Sequence, residues 1–286
     1  MPAIKSNISP TLSAVSTRKS SKRGGTAIKI SAVLVLLVGM GSLLFAAFDV
    51  FNAHGNESTA TATPITQQAC PTYLNCKGAR LVFNDPLKSF KDTSKGYIWN
   101  GPPRNGSCQF QGETLHVSVN MNTANAHFHP CTVDKLDFSN FVYQVNMTFF
   151  YGDCGGMLFR AHDDMFYYLY ICQDSEPSAN CAADQAEYGL IRYINDNARP
   201  PYIPIPVGTG GAAWGCSQYI NAGSNLTNTI AVRAQGPTIG LYVNQHRIWI
   251  GKDNNYLDGA IGVLARTFDP GRSSEVAFSN ATVWTL

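Results

Sequence analysis

Three sets of residues in this chain have the types and spacing for chemistry. The first is eight cysteines, Cys70, Cys76, Cys108, Cys131, Cys154, Cys172, Cys181 and Cys216. An even number of cysteines, all after one long apolar run, reads as four disulfides formed in an oxidising compartment. Cys108 and Cys131 flank a strand pair and are the best single bridge; Cys70 and Cys76 suit a small loop, and the other four then pair among themselves. No C-x-x-C pair occurs, so a structural zinc site is not expected. The second set is oxygen and imidazole donors. His127-Phe128-His129 puts two imidazoles on one face of an extended segment, a metal pair with no third ligand close in sequence. Asp163 and Asp164 share a turn after His162 and are where calcium would find oxygen ligands. No D-x-D-x-D-G loop is present, so a solvated turn and no cofactor is the expectation. The third set is Gln144, Asn146, Arg160, Tyr168, Tyr170 and Arg192. Amides, guanidinium groups and aromatic rings together suit the hydroxyls and apolar faces of a sugar, or a peptide. Trp214, in the Gly-rich GTGGAAWG stretch, adds a candidate exposed platform. No G-x-S-x-G occurs, and no carboxylate spacing singles out an acid/base pair.

The elements that must position these residues are strands. Phe141, Tyr143, Val145, Met147 and Phe149 alternate with Gln144, Asn146 and Thr148, which predicts a half-buried strand with the odd set inward. Leu115, Val117 and Val119 form another. Phe166–Cys172 is apolar on both faces and predicts a central strand covered on each side. Ile239, Leu241 and Val243 run into Asn244-Gln245-His246 and return through Ile248 and Ile250, a hairpin pattern. Such runs recur every 8–15 residues or so, as in a sandwich or barrel. In the strand holding Arg160, alternation sends Met157 and Phe159 inward and Leu158, Arg160 and His162 outward. Trp284, on the last strand, is expected in the core.

Ahead of all this lie nineteen uncharged residues, Ile30–Phe48. An apolar helix of about 20 residues crosses a bilayer. Six cations and no anion precede it, and Asp49 follows. That asymmetry keeps the N-terminus cytoplasmic and sends the rest outward. The run exceeds a signal-peptide h-region and lacks a small-x-small exit, so an uncleaved anchor is favoured over cleavage after Ala46 or Ala47. The resulting division is a basic cytoplasmic tail (1–29), a transmembrane signal anchor (30–48), a stalk (49–68) and an extracellular domain (69–286). From Val50 onward the chain holds 15 cations and 18 anions. It has no basic cluster for nucleic acid.

Four segments resemble a known group. FSNFVYQVNMTF (Phe138–Phe149), GGMLFRA (Gly155–Ala161) with YYLYI (Tyr167–Ile171), IGLYVNQHRI (Ile239–Ile248) with Asp253 and GAIGVLA (Gly259–Ala265), and EVAFSNATVWTL (Glu275–Leu286) are its signature. They resemble the concanavalin/laminin-G-like ectodomains of the bacterial 3-keto-disaccharide hydrolase-like group. The resemblance implies an all-β jelly-roll sandwich, here preceded by one transmembrane helix. Because one fold hosts many activities, the implied functions differ. Recognition of an extracellular carbohydrate or cell-wall component comes first, without catalysis. A glycan-processing hydrolase is the alternative, and an accessory ectodomain acting through a partner is the third reading. Some of the group are sensor kinases; the 29 residues before the apolar run cannot hold a kinase, so signalling would pass to a membrane partner.

Overall fold

The computed structural model describes residues 68–89, 97–102, 105–120, 128–133, 135–173, 181–194, 202–204, 213–268 and 271–286. The tail, the apolar run, nearly all of the stalk, and His127 lie outside them. Among the described residues the one helical element is a 3-10 turn, Thr72–Leu74, and everything else regular is strand.

Two antiparallel sheets form a jelly-roll sandwich. The first runs β14 (His246–Lys252), β13 (Thr238–Val243), β12 (Thr227–Gln235), β6 (Phe141–Tyr151), β16 (Ser273–Thr285), β4 (Thr114–Asn120), β3 (Gly106–Gln111). Beside β4, β1 (Arg80–Asp85) pairs the last part of β16. The second sheet runs β10 (Tyr202–Pro204), β9 (Ala186–Ile194), β8 (Met165–Cys172), β7 (Cys154–His162), β15 (Ala260–Arg266), β5 (Phe128–Val133), β2 (Trp99–Asn100). A further strand, β11 (Trp214–Ser217), pairs another stretch of β9.

The core follows the period-two pattern. Phe141, Tyr143, Val145, Met147 and Phe149 of β6 are fully buried against Met157, Phe159, Tyr167, Leu169 and Val263 from the facing sheet. Burying such side chains stabilises by roughly 1.5–3 kcal/mol each. Tyr143 crosses the interior and donates its hydroxyl to Gly262 O at 3.1 Å. Burial raises this phenol well above its ordinary pKa, so it stays a neutral donor. Buried Asp85 accepts from Leu87 N (2.8 Å) and Trp99 Nε1 (3.0 Å), tying the end of β1 to the second sheet.

The cysteines pair as Cys70–Cys76, Cys108–Cys131, Cys154–Cys172 and Cys181–Cys216, with none free. Cys108–Cys131 joins β3 to β5 and so staples sheet to sheet. Cys154–Cys172 links directly opposed residues of β7 and β8. Cys181–Cys216 ties the turn before β9 to β11.

The Cys70–Cys76 loop lies on the outer face of the first sheet. Leu74 is fully buried there with Val142, Ala231, Tyr242 and Trp284. Trp284 faces this outer cluster and donates Nε1 to Gln68 O at 2.9 Å. Tyr73 donates its hydroxyl to Gln144 Oε1 at 2.5 Å. Burial, then the neighbouring Tyr242, pushes the Tyr73 phenol up to about 12. Leu74→Ala should therefore cost about 2–5 kcal/mol, the range for a buried leucine deletion. The measurement is urea unfolding, with a lower midpoint and an unchanged slope.

Candidate functional site

The single ligand face expected from Gln144, Asn146, Arg160, Tyr168 and Arg192 is not assembled. Gln144 and Asn146 lie on β6 in the first sheet, and the other three lie in the second. Gln144 holds Tyr73 under the N-terminal loop, and Asn146 Oδ1 accepts from Thr229 Oγ1 at 2.9 Å. Tyr168 is fully buried on the outer face of the second sheet and accepts from Arg266 Nη1 at 2.9 Å. Arg266 also lies 4.4 Å from the ring centres of Tyr170 and Phe268. That face is a second aromatic core, with Tyr170, Phe166 and Leu264 buried in it.

Arg160 departs furthest from strand alternation. Met157 and Phe159 point inward as expected, but the β7–β8 register then breaks between Phe159 and His162. Arg160 sits in this bulge with φ 52°, and its side chain does not follow Leu158 outward. A bulge re-aims a side chain in this way. The guanidinium is buried and donates to Tyr256 O (3.0 Å), Ser139 O (2.9 Å) and Gly236 O (2.7 Å). It is a cross-link between the sheets.

Arg192 is out of phase too. It pairs with inward-facing Tyr167 and reaches Asp253 Oδ2 at 3.2 Å. Asp253 also accepts from the Tyr167 hydroxyl and from Asn255 N (2.9 Å) and Nδ2 (2.6 Å). Burial alone would raise this carboxyl. The Tyr167 and Asn255 donors, with Arg192, outweigh it and hold the pKa below its ordinary value. Asn244 is a third pin, with φ 47°, joining Thr229 N, Tyr219 O and Asn228 Oδ1 at 2.7–2.9 Å. Arg160, Asn244 and Asp253 are thus three polar residues of the quoted segments that bond backbone atoms.

Asp163 and Asp164 lie exposed at the β7–β8 turn, where no third ligand converges among the described residues. His129 is buried instead beside the inter-sheet disulfide, its Nε2 3.6 Å from Cys108 Sγ.

Trp214 is 52% exposed, as its loop context predicts. It pairs Gly189, where any Cβ would meet the Tyr170 ring at 2.4 Å, so that ring fills the space a side chain would need. Two residues on, Cys216 and Ser217 enter a cleft of about 330 Å³ between β11 and the β13–β14 hairpin. Gln185, Tyr188, Gln218, Tyr219, Arg247 and Ile248 complete its lining. Tyr219, 40% exposed, stacks on His246 with ring centres 3.8 Å apart and planes within 5°. Tyr219 is positioned from both sides: its N donates to Ser217 Oγ (3.2 Å), and its carbonyl accepts from Asn244. Among the described residues, exposed Arg247 has no ion-pair partner and no carboxylate lines the cleft. Amides, a hydroxyl, a guanidinium and a fixed aromatic tile therefore share one opening. Sequence reading missed it because Gln218 and Tyr219 lie in a turn with no periodic signal.

No family model matches the chain, and no curated protein does. Solved structures superpose at low identity. Carbohydrate binding module CBM66 from Bacillus subtilis aligns at 13% identity and TM-score 0.45, covering 66% of this chain and 96% of that one. A Bacillus subtilis protein of unknown function with a galectin-like fold aligns at 10% and 0.42, covering 72% and 96%. The kappa-carrageenase of Pseudoalteromonas carrageenovora aligns at 11% and 0.43, covering 79% and 99%.

Two outcomes follow from the pins. Arg160→Met removes three hydrogen bonds from a charged donor to backbone carbonyls, each such bond being worth about 1.5–3 kcal/mol. Stability should fall by at least about 3 kcal/mol in chemical denaturation. For Asp253 the folded pKa is depressed, so its contribution is complete above the unfolded value of about 4 and disappears as pH falls through the folded one. A melting-temperature profile from pH 6 downward should be steeper for wild type than for Asp253→Asn across that acid limb.

Proposed function

We propose that this is an extracellular recognition domain for a carbohydrate bearing an acidic group, held at the membrane by Ile30–Phe48. The observation that carries the reading is the fixed Tyr219–His246 stack beside exposed Arg247, in a cleft that no carboxylate lines among the described residues. Aromatic rings take the apolar face of a sugar, and a guanidinium forks onto a carboxylate or phosphate. Gln185 and Gln218 supply both donors and acceptors for hydroxyls. Glycoside hydrolysis needs a pair of carboxyl groups flanking the bond, and among the described residues none lines the cleft. The resemblance to the 3-keto-disaccharide hydrolase group rests on four segments made mostly of core and turn residues, so it supports a fold more than that reaction.

The display outside the cell is supported by two independent features: cations on one side of the apolar run, and four disulfides on the other. Protease added to intact cells should digest the disulfide-bonded domain and leave residues 1–29 protected. Digestion of the tail from outside would reverse the orientation.

Glycan-array screening of the detergent-solubilised protein tests the ligand. Uronate- or phosphate-bearing glycans should bind above their neutral counterparts. Tyr219→Ala and Arg247→Ala should each weaken binding by about tenfold or more, equivalent to about 1.4 kcal/mol, without moving Tm. Binding that ignores both substitutions places the ligand elsewhere.

A further inference from the structure

The inter-sheet disulfide has a third donor built against it. Cys108 comes from β3 and Cys131 from β5, with Cα atoms 6.0 Å apart. His129 precedes Cys131 by two residues on the same strand and therefore shares its face. Its side chain is 1% exposed, and Cys131 is fully buried. The two Sγ atoms and one imidazole nitrogen all fall within 4.8 Å of one another. Cys108 is half-buried, so the group has one side toward solvent.

One distance suits a metal. With Zn–S about 2.3 Å and Zn–N about 2.0–2.1 Å, a tetrahedral ion spaces a sulfur and a nitrogen ligand about 3.6 Å apart. His129 Nε2 and Cys108 Sγ are 3.6 Å apart. A glycine keeps the space beside them clear. A Cβ on Gly101 would lie 2.5 Å from His129 Nε2, 2.5 Å from Pro130 O and 2.8 Å from Cys108 Sγ, so any side chain there would crowd both donors.

We propose that Cys108, His129 and Cys131 form a site for a thiophilic divalent cation of the Zn²⁺ type, opened by reduction of the Cys108–Cys131 bond. A dithiol reductant delivers two electrons and two protons to that bond and leaves as its own disulfide. The cation then displaces the two thiol protons and takes two thiolates and one neutral imidazole, with the fourth position toward the solvent side of Cys108. The sulfurs need only part to about 3.8 Å, the edge of a Zn-centred tetrahedron. The first sheet stays tied to the second, now through the metal.

The test begins with the full wild-type chain, reduced with a dithiol and exchanged into Zn²⁺ alone. Alkylation with iodoacetamide and peptide mapping should show Cys108 and Cys131 protected by Zn²⁺ at least tenfold, and the other six cysteines not. Co²⁺ in place of Zn²⁺ should give thiolate charge-transfer and tetrahedral visible bands that vanish on reoxidation. His129→Ala and Gly101→Ala should each lose those bands while the oxidised proteins still yield the Cys108–Cys131 peptide. Equal alkylation with and without Zn²⁺, protection spread over all eight cysteines, or unchanged Co²⁺ bands in a folded His129→Ala protein would each overturn the proposal.

Discussion

One buried guanidinium sets the geometry at one end of the sandwich. Arg160 satisfies three backbone carbonyls: Ser139 O, just before β6; Gly236 O, in the β12–β13 turn; and Tyr256 O, before β15. The first two belong to turns of one sheet, while Arg160 itself belongs to the other. A buried cation is costly unless hydrogen-bonded, and here both terminal nitrogens of the guanidinium bond backbone oxygens. Asp253 continues the same seam. It collects Tyr167, Asn255 and Arg192, and the Tyr167 hydroxyl in turn accepts from Tyr256 N at 3.2 Å. The segment 253–259 is therefore held from both sides, and β15 enters the sheet in a fixed register.

This arrangement decides where recognition can occur. A sandwich ordinarily has two outer faces to offer, but both are occupied here. The Cys70–Cys76 loop buries Leu74 on one, and Phe166, Tyr168 and Tyr170 form a cluster of their own on the other. Among the described residues, what stays open is the edge where β14 meets β9 and β11. The opposite edge is closed by Cys108–Cys131, between β3 and β5. A fixed edge opposite an accessible one lets a ligand meet a rigid wall, which limits the entropy lost on binding.

Local patterns in the sequence carried most of the architecture. Alternation in Phe141–Phe149 named the inward residues, and the continuously apolar Phe166–Cys172 named a strand covered on both faces. The Asn244-Gln245 turn is a hairpin because both residues accept positive φ, 47° and 73°. Cysteine spacing sufficed for Cys108–Cys131 and Cys70–Cys76 because each closes around a local element. The candidate site was not legible, for two physical reasons. Sheet membership is set by non-local pairing: β6 sits between β12 and β16, some 80–140 residues away. Nothing near Gln144 or Tyr168 announces that they belong to different sheets. Phase is also lost at a bulge, so one register break turned Arg160 from an expected outward residue into an internal pin.

An edge strand raises a competing account of Arg247, since charges on edges prevent strand-to-strand aggregation. Lys252 on the same strand fits that role without further explanation. Arg247 has different surroundings. An edge guard needs only water around it, whereas Arg247 stands beside a tyrosine whose loop is fastened by Ser217 and Asn244 and whose ring is stacked on His246. Fixing an exposed aromatic costs side-chain entropy and leaves apolar surface wet, both unfavourable for folding alone. Edge protection would be equally served by a lysine with no ring beside it. The guanidinium and the immobilised ring beside it are the two groups that the proposed ligand, with an apolar face and an acidic group, would engage.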